Sequence, residues 1–249
     1  MRPSLPKGSR LPDFLVLGTQ KGGTSTLHTL LKTHPNVFLP RCKEVHYFSL
    51  KADRPIQWYS NLYDNAKHSQ RCGDITPFYL FHPDVPTRIH DLLPTAGLVV
   101  LLRDPVERCL SQIFHAHRLG FESLTPEEAI DAEEQRLESG DLIHIQEHSY
   151  QARSLYLEQL DRYEKLFPKE QILVLKSENL FNKSEQTWKQ IINFLKLPWQ
   201  PLPDKLPHAN RGRGEADRVN PALRRRLKDK FADTAAGVRK RYGFGWDWA

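Results

Sequence analysis

The sequence predicts a three-layer α/β domain, with a central parallel sheet flanked by helices. Three observations carry that prediction. Uniformly apolar runs at residues 14–17, 98–102 and 172–175 have the length and composition of strands buried on both faces. Segments of helical periodicity separate them, and such alternation favours parallel pairing through crossovers. A glycine-rich turn joins the first apolar run to the first helical segment, a geometry that aims free backbone N–H groups at one anion. The 249 residues suffice for a full core. They most simply form one domain over residues 13–249, behind a flexible arm at residues 1–12 that is rich in Pro, Lys, Gly and Ser.

In chain order, Phe14, Leu15, Val16 and Leu17 lie between Pro12 and Gly18 and read as a buried strand. Gly18, Gly22 and Gly23 then surround Lys21, and Thr24, Ser25 and Thr26 open a helix marked by Leu27, Leu30 and Leu31. Glycine lets backbone approach a ligand closely, and Lys21 supplies a point charge. The loop is not that of the nucleoside triphosphatases, which needs four residues between its first glycine and a Gly-Lys-Ser/Thr ending. Only Thr19 and Gln20 separate Gly18 from Lys21. A plain glycine turn with a surface lysine is the alternative.

Pro35 stops this helix, and Val37 to Leu39 form a second apolar run. In Lys43-Glu44-Val45-His46-Tyr47-Phe48 an acid and an imidazole two residues apart share a face on a strand. A charged turn before an aromatic anchor explains the same pattern. Trp58, Tyr59, Leu62 and Tyr63 make one aromatic helix face, read as core. Asp74, in the run GDITPFY, suits a turn, a cap or an acceptor-side role. A helix at residues 84–93 ends before Pro94.

Residues 98–102 are the most strand-like run, expected at the sheet centre. At its carboxyl end, where open α/β sheets bind ligands, stands Arg103-Asp104-Pro105. Ser111 follows about two turns along the next helix. An arginine and a hydroxyl converging from two elements hold a phosphate well, although Arg103 paired with Asp104 would serve as an ordinary strand-end bridge. Residues 122–139 form an acidic helix with Pro126 in its first turn. Residues 150–167, with Leu155, Leu157, Leu160, Tyr163 and Leu166, read as one long core helix, residues 172–175 as a buried strand and residues 185–195 as a helix. After a proline-rich loop, Arg211, Gly212 and Arg213 form either a flexible basic loop able to fold over a phosphate or a plain linker. A basic helix at residues 221–230 follows, and Phe244, Trp246 and Trp248 are expected to pack back onto the domain.

The net charge is +6, yet residues 205–241 hold twelve Lys or Arg against four Asp or Glu. This basic segment attracts polyanions, but no nucleic-acid-binding module is visible. No apolar run approaches a membrane span, and no signal peptide is recognisable. Cys42, Cys72 and Cys109 show neither disulfide nor metal spacing and default to small buried thiols of a reducing compartment. A soluble, cytoplasmic protein without a metal is the expectation.

The loop GTQKGGTST resembles the phosphosulfate-binding loop of sulfotransferases, which use 3'-phosphoadenosine 5'-phosphosulfate (PAPS) as donor and release adenosine 3',5'-bisphosphate (PAP). The resemblance implies a P-loop-like fold, a catalytic Lys21, and donor contacts from Gln20, Lys21, Gly22, Gly23, Thr24, Ser25 and Thr26. LLRDPVERCLSQIFH resembles the family's 3'-phosphate segment, with Arg103 and Ser111 matching residue for residue. By position, Arg211, Gly212 and Arg213 correspond to its closing loop. Lys43-Glu44-Val45-His46-Tyr47-Phe48 resembles a segment of the heparan-sulfate enzymes whose glutamate is the general base, which implies catalytic Glu44 with His46 beside it. Ile75 stands where those enzymes carry a lysine, which argues against copying their acceptor chemistry. The implied reaction is sulfuryl transfer from PAPS to a small-molecule or glycan acceptor. Two rivals from other classes are a nucleoside triphosphate-dependent kinase on a similar sheet and a non-catalytic binder of anionic glycans through the basic tail.

Overall fold

The computed structural model describes residues 8–207 and 214–248. Its strands are β1 (Phe14–Gly18), β2 (Val37–Phe38), β3 (Arg71–Ile75), β4 (Gly97–Leu102) and β5 (Ile172–Lys176). Its helices are α1 (Thr24–Thr33), α2 (Ile56–Asn61), α3 (Val85–Leu92), α4 (Pro105–Leu119), α5 (Pro126–Glu138), α6 (Leu142–His148), α7 (Tyr156–Glu164), α8 (Asn179–Asn182), α9 (Ser184–Phe194) and α10 (Pro221–Tyr242). The strands form one sheet in the order β2, β3, β1, β4, β5, every neighbouring pair parallel.

Strand alternation builds the three layers. Leu15, Leu17, Leu98, Val100 and Leu102 face a core shared with α3, α7 and α10. Phe14, Val16, Val99 and Leu101 face the opposite core, shared with α1 and α9. All nine are fully buried, each worth about 1.5–3 kcal/mol relative to exposure. A third cluster joins α4, α5 and the first half of α10. The direction of strand addition reverses at β1, with β3 on one side and β4 on the other. Parallel sheets bind ligands in the crevice at such a switch point, and the carboxyl ends of β1, β3 and β4 open onto it.

The central strands, α1 and the aromatic face of α2 follow the sequence reading. Tyr59 and Tyr63 are fully buried, and Phe244, Trp246 and Trp248 do pack onto the core. Three elements and one cysteine differ from it. The helix expected over residues 150–167 is a 3-10 turn at Ala152–Ser154 followed by α7. Side chains claim the backbone there: Gln151 and Ala152 donate their N–H groups to Glu133, and Ser154 donates its hydroxyl to the Pro105 carbonyl. β5 is an edge strand in which only Leu175 is buried. Cys42 is exposed, whereas Cys72 and Cys109 are buried as expected. The basic helix continues to Tyr242. At the start of the chain Arg10 donates to the carbonyls of Lys67 and Gln70 at 2.6 and 2.7 Å.

Candidate active site

The loop after β1 is held from three sides. Thr19 donates its backbone N–H and its hydroxyl to the Leu101 carbonyl, at 2.9 and 3.0 Å. Arg103 donates from Nη1 to the Lys21 carbonyl at 3.1 Å. Ser177, just past β5, donates to the Gly22 carbonyl at 2.8 Å. A Cβ on Gly22 would stand 2.6 Å from Thr19 Oγ1 and 2.8 Å from the Leu101 oxygen, so only glycine fits. Gly23, at φ 85°, precedes α1, whose first turn carries neither a side-chain cap nor an acidic residue. The N–H groups of that turn are suited to an anion.

Beyond this loop lies a cleft of about 150 Å³, open to solvent. Gln20, Lys21, Gly23, Thr24 and Ser25 form one wall, Lys43, Glu44 and Pro77 a second, and Arg103 and His115 a third. The cleft thus joins the loop, the Glu44 segment and the Arg-Asp-Pro turn, three stretches far apart in sequence. Burial holds the Lys21 ammonium down to about 8, helped by the Arg118, Arg103 and Arg108 guanidiniums and opposed by Glu44.

Glu44 reaches the cleft from a constrained backbone. Its φ is 64° and that of His46 is 60°, a left-handed conformation that non-glycine residues adopt at a cost of about 1–3 kcal/mol. The Glu44 N–H donates to the Ile75 carbonyl at 3.1 Å, and its carboxylate pairs with Lys43 Nζ. His46 Nε2 lies 3.9 Å from the same carboxylate, and its Nδ1 lies 3.0 Å from Ser49 Oγ. Burial pushes the His46 imidazole down to about 4 despite Glu44, so the ring is neutral at neutral pH.

Asp74 is fully buried beneath this segment. Its carboxylate accepts from Tyr59, Tyr79 and Thr76 hydroxyls at 2.8, 2.9 and 2.7 Å. It has no access to an acceptor, which corrects that part of the sequence reading. Burial raises its pKa, partly offset by these three bonds. Ile75, where a lysine would have been informative, packs into the core beside α1.

The remaining expected residues divide. Thr26 is buried, and its hydroxyl donates to the Pro207 carbonyl at 2.8 Å, away from the cleft. Ser111 lies on α4 one turn before His115 and does not line the cleft. His46 stands behind Glu44 rather than on the cleft wall. Arg211, Gly212 and Arg213 lie outside the described residues. His115 went unrecognised in the sequence, although its spacing of one helical turn from Ser111 would have identified it. Its imidazole pKa is lowered by burial and by Lys21 and Arg118. Among the described residues no group of His, Cys, Asp and Glu could hold a metal, and no helix is long and apolar enough to cross a membrane.

A parallel sheet whose switch point carries a glycine loop, a lysine and a strand-end arginine defines an α/β protein of the phosphate-loop type. The chain belongs to the sulfotransferase domain family, which matches residues 11–246. A crystal structure of a sulfotransferase from Alicyclobacillus acidocaldarius superposes with a TM-score of 0.81 at 28% identity, covering 96% of this chain and 99% of that one. The membrane-associated sulfotransferase kil1 of Dictyostelium discoideum is 27% identical over 265 residues, covering 75% of this chain and 56% of kil1. Heparan sulfate glucosamine 3-O-sulfotransferase 3A1 of Mus musculus is 29% identical over 199 residues, covering 78% of this chain and 48% of the mouse protein. The chain therefore spans about half the length of these two relatives.

Proposed function

We propose that this chain transfers a sulfuryl group from PAPS to a hydroxyl or amine of an acceptor, a glycan or glycan-like molecule. The observation that carries the reading is the single cleft uniting the Lys21 loop, Glu44 and Arg103. The loop and the first turn of α1 cradle the 5'-phosphosulfate. Arg103, on the cleft wall, holds the 3'-phosphate. Glu44 accepts the acceptor proton as the acceptor oxygen or nitrogen bonds to sulfur. The bond between sulfur and the bridging phosphosulfate oxygen breaks in line, and Lys21 stabilises the charge that develops on that oxygen. As in phosphoryl transfer, positioning and charge stabilisation supply most of the acceleration. The name of the heparan sulfate relatives supports a glycan acceptor, while Ile75 in place of lysine supports a different acceptor contact.

Calorimetric titration with PAP, set against ATP with magnesium, tests the donor. The expected result is selective binding of PAP, weakened at least tenfold by Arg103→Ala. Preference for ATP would move the protein to a kinase reading. For the base, Glu44→Gln is expected to lower kcat by about 10²–10⁴ with PAP affinity unchanged; full turnover in that variant removes Glu44 from the role.

A further inference from the structure

Arg153 occupies the turn between α6 and α7 and is only 4% exposed. Its Nη1 donates to Gln20 Oε1 at 2.5 Å, and its Nη2 donates to the carbonyls of Ile145 and Gln146 at 3.1 and 2.6 Å. The guanidinium carbon lies 4.8 and 5.3 Å from the ring centroids of Phe78 and Phe81. Its Nε has no partner, and no carboxylate among the described residues forms an ion pair with it. An unpaired buried cation costs several kcal/mol, and a core position would be filled more stably by an apolar side chain. Burial holds its pKa down to about 9, with Arg108 adding to the shift and Glu44 opposing it.

The contact with Gln20 gives this cation a use. A guanidinium carries donors and no acceptor, so Gln20 must turn its amide oxygen toward Arg153. The amide NH2 is thereby directed away from Arg153. Gln20 lines the cleft beside Lys21 and Glu44, and among the described residues its Nε2 has no protein partner. Were the amide free to flip, it would present an oxygen to the cleft half of the time, and an oxygen repels an anionic donor. The grip on the end of α6 and the two aromatic faces keep the guanidinium itself from turning.

We propose that Arg153 is a positioning residue that locks the Gln20 amide with its NH2 toward the cleft, where it donates to a non-bridging oxygen of the sulfuryl group on the donor. This rests on the sulfuryl-transfer reading above. It adds a neutral donor beside the Lys21 charge. PAPS carries the sulfuryl group and PAP does not, so the contact is visible as a difference between the two ligands.

The test is the ratio of Kd values for PAPS and PAP, measured by calorimetry without acceptor on the whole chain. Gln20→Ala is expected to weaken PAPS about tenfold while leaving PAP within twofold, the scale of one hydrogen bond to a charged group. Gln20→Glu keeps the contact with Arg153 but replaces the donors with a negative charge, and is expected to weaken PAPS further. Arg153→Lys keeps a cation in the core without the fork that bridges Gln20 and α6, and is expected to shift the ratio in the same direction. Combined with Gln20→Ala, it is expected to add no further loss, because both changes remove one contact. Arg153→Met provides a second core variant. Equal weakening of both ligands by Gln20→Ala, multiplying effects in the double variant, or an unchanged ratio in both Arg153 variants each overturns the proposal. Binding of neither ligand by the unaltered protein overturns the sulfuryl-transfer reading first, and this proposal with it.

Discussion

Lys21 is charged in an environment that works against its charge. With its ammonium held down to about 8 by burial and neighbouring guanidiniums, the unliganded protein loses that charge as pH rises through about 8. Because kcat/KM reports the free enzyme, its alkaline limb is expected to fall with an apparent pKa near 8. The limb of kcat, which reports the donor-bound state, is expected at higher pH, because the anionic donor favours the ammonium. Lys21→Arg should remove the limb from the range below pH 10, since a guanidinium stays charged. A pH–rate profile of both proteins checks this; the same limb in Lys21→Arg would assign the titration elsewhere. Stability runs the opposite way. The folded pKa lies below the ordinary 10.5, so between about 8 and 10.5 the unfolded chain binds more protons. The penalty at Lys21 is full below that window and is relieved as pH rises through it. That Lys21 and Glu44 belong to one site was expected from the resemblance of their segments to those of sulfotransferases, and both line the same cleft. Their φ values of 68° and 64° were not legible, because nothing in local sequence announces a left-handed lysine or glutamate.

At the scale of elements, the loop between β1 and α1 depends on its two adjacent glycines for different reasons. Gly22 is enclosed: its Cβ would collide with Thr19 Oγ1 at 2.6 Å and with Leu101 backbone oxygen at 2.8 Å. Gly23 is open, its nearest neighbour being 3.5 Å from a Cβ, but its φ is +85°. Gly22→Ala is therefore expected to cost about 1–3 kcal/mol and to weaken PAP binding more than tenfold, because the loop must move. Gly23→Ala is expected to cost about 1–2 kcal/mol with a smaller effect on binding. Thermal melts and PAP titration rank the two; the opposite order would show that conformation, not enclosure, limits this loop. The same contrast explains what could be read in advance. Strands and α1 were legible because apolar periodicity reports burial directly. The break at Ala152–Ser154 was not, because Glu133 and Pro105, distant in sequence, take up its hydrogen bonds. Arg153 was invisible for the same reason: it becomes informative only once the fold brings Gln20 to it.

Across the whole molecule, part of the charge on the basic carboxyl-terminal segment is tied to the rest of the domain. Arg224, Arg226 and Arg241 pair with Glu107, Asp131, and Asp161 with Glu164, although exposed pairs of this kind are each worth only about 0–1 kcal/mol. The stronger link is made by the last aromatics. Trp246 is 3% exposed, and Arg239 donates to its carbonyl at 2.9 Å. Trp248 donates its indole N–H to Asp104 Oδ2 at 2.5 Å. Asp104 also caps α4 by accepting from the N–H groups of Val106 and Glu107. The end of the chain thus holds the turn that carries Arg103. The two tryptophans are expected to separate in their effects. Trp246→Ala should cost about 3–5 kcal/mol in urea unfolding, as large buried aromatics do, while the folded fraction binds PAP normally. Trp248→Phe should cost only about 1 kcal/mol, the worth of one hydrogen bond, yet weaken PAP binding about two- to fivefold by loosening the Arg103 turn. If instead the two variants rank alike in unfolding and in titration, the tail acts through packing alone and the bond to Asp104 has no part in shaping the cleft.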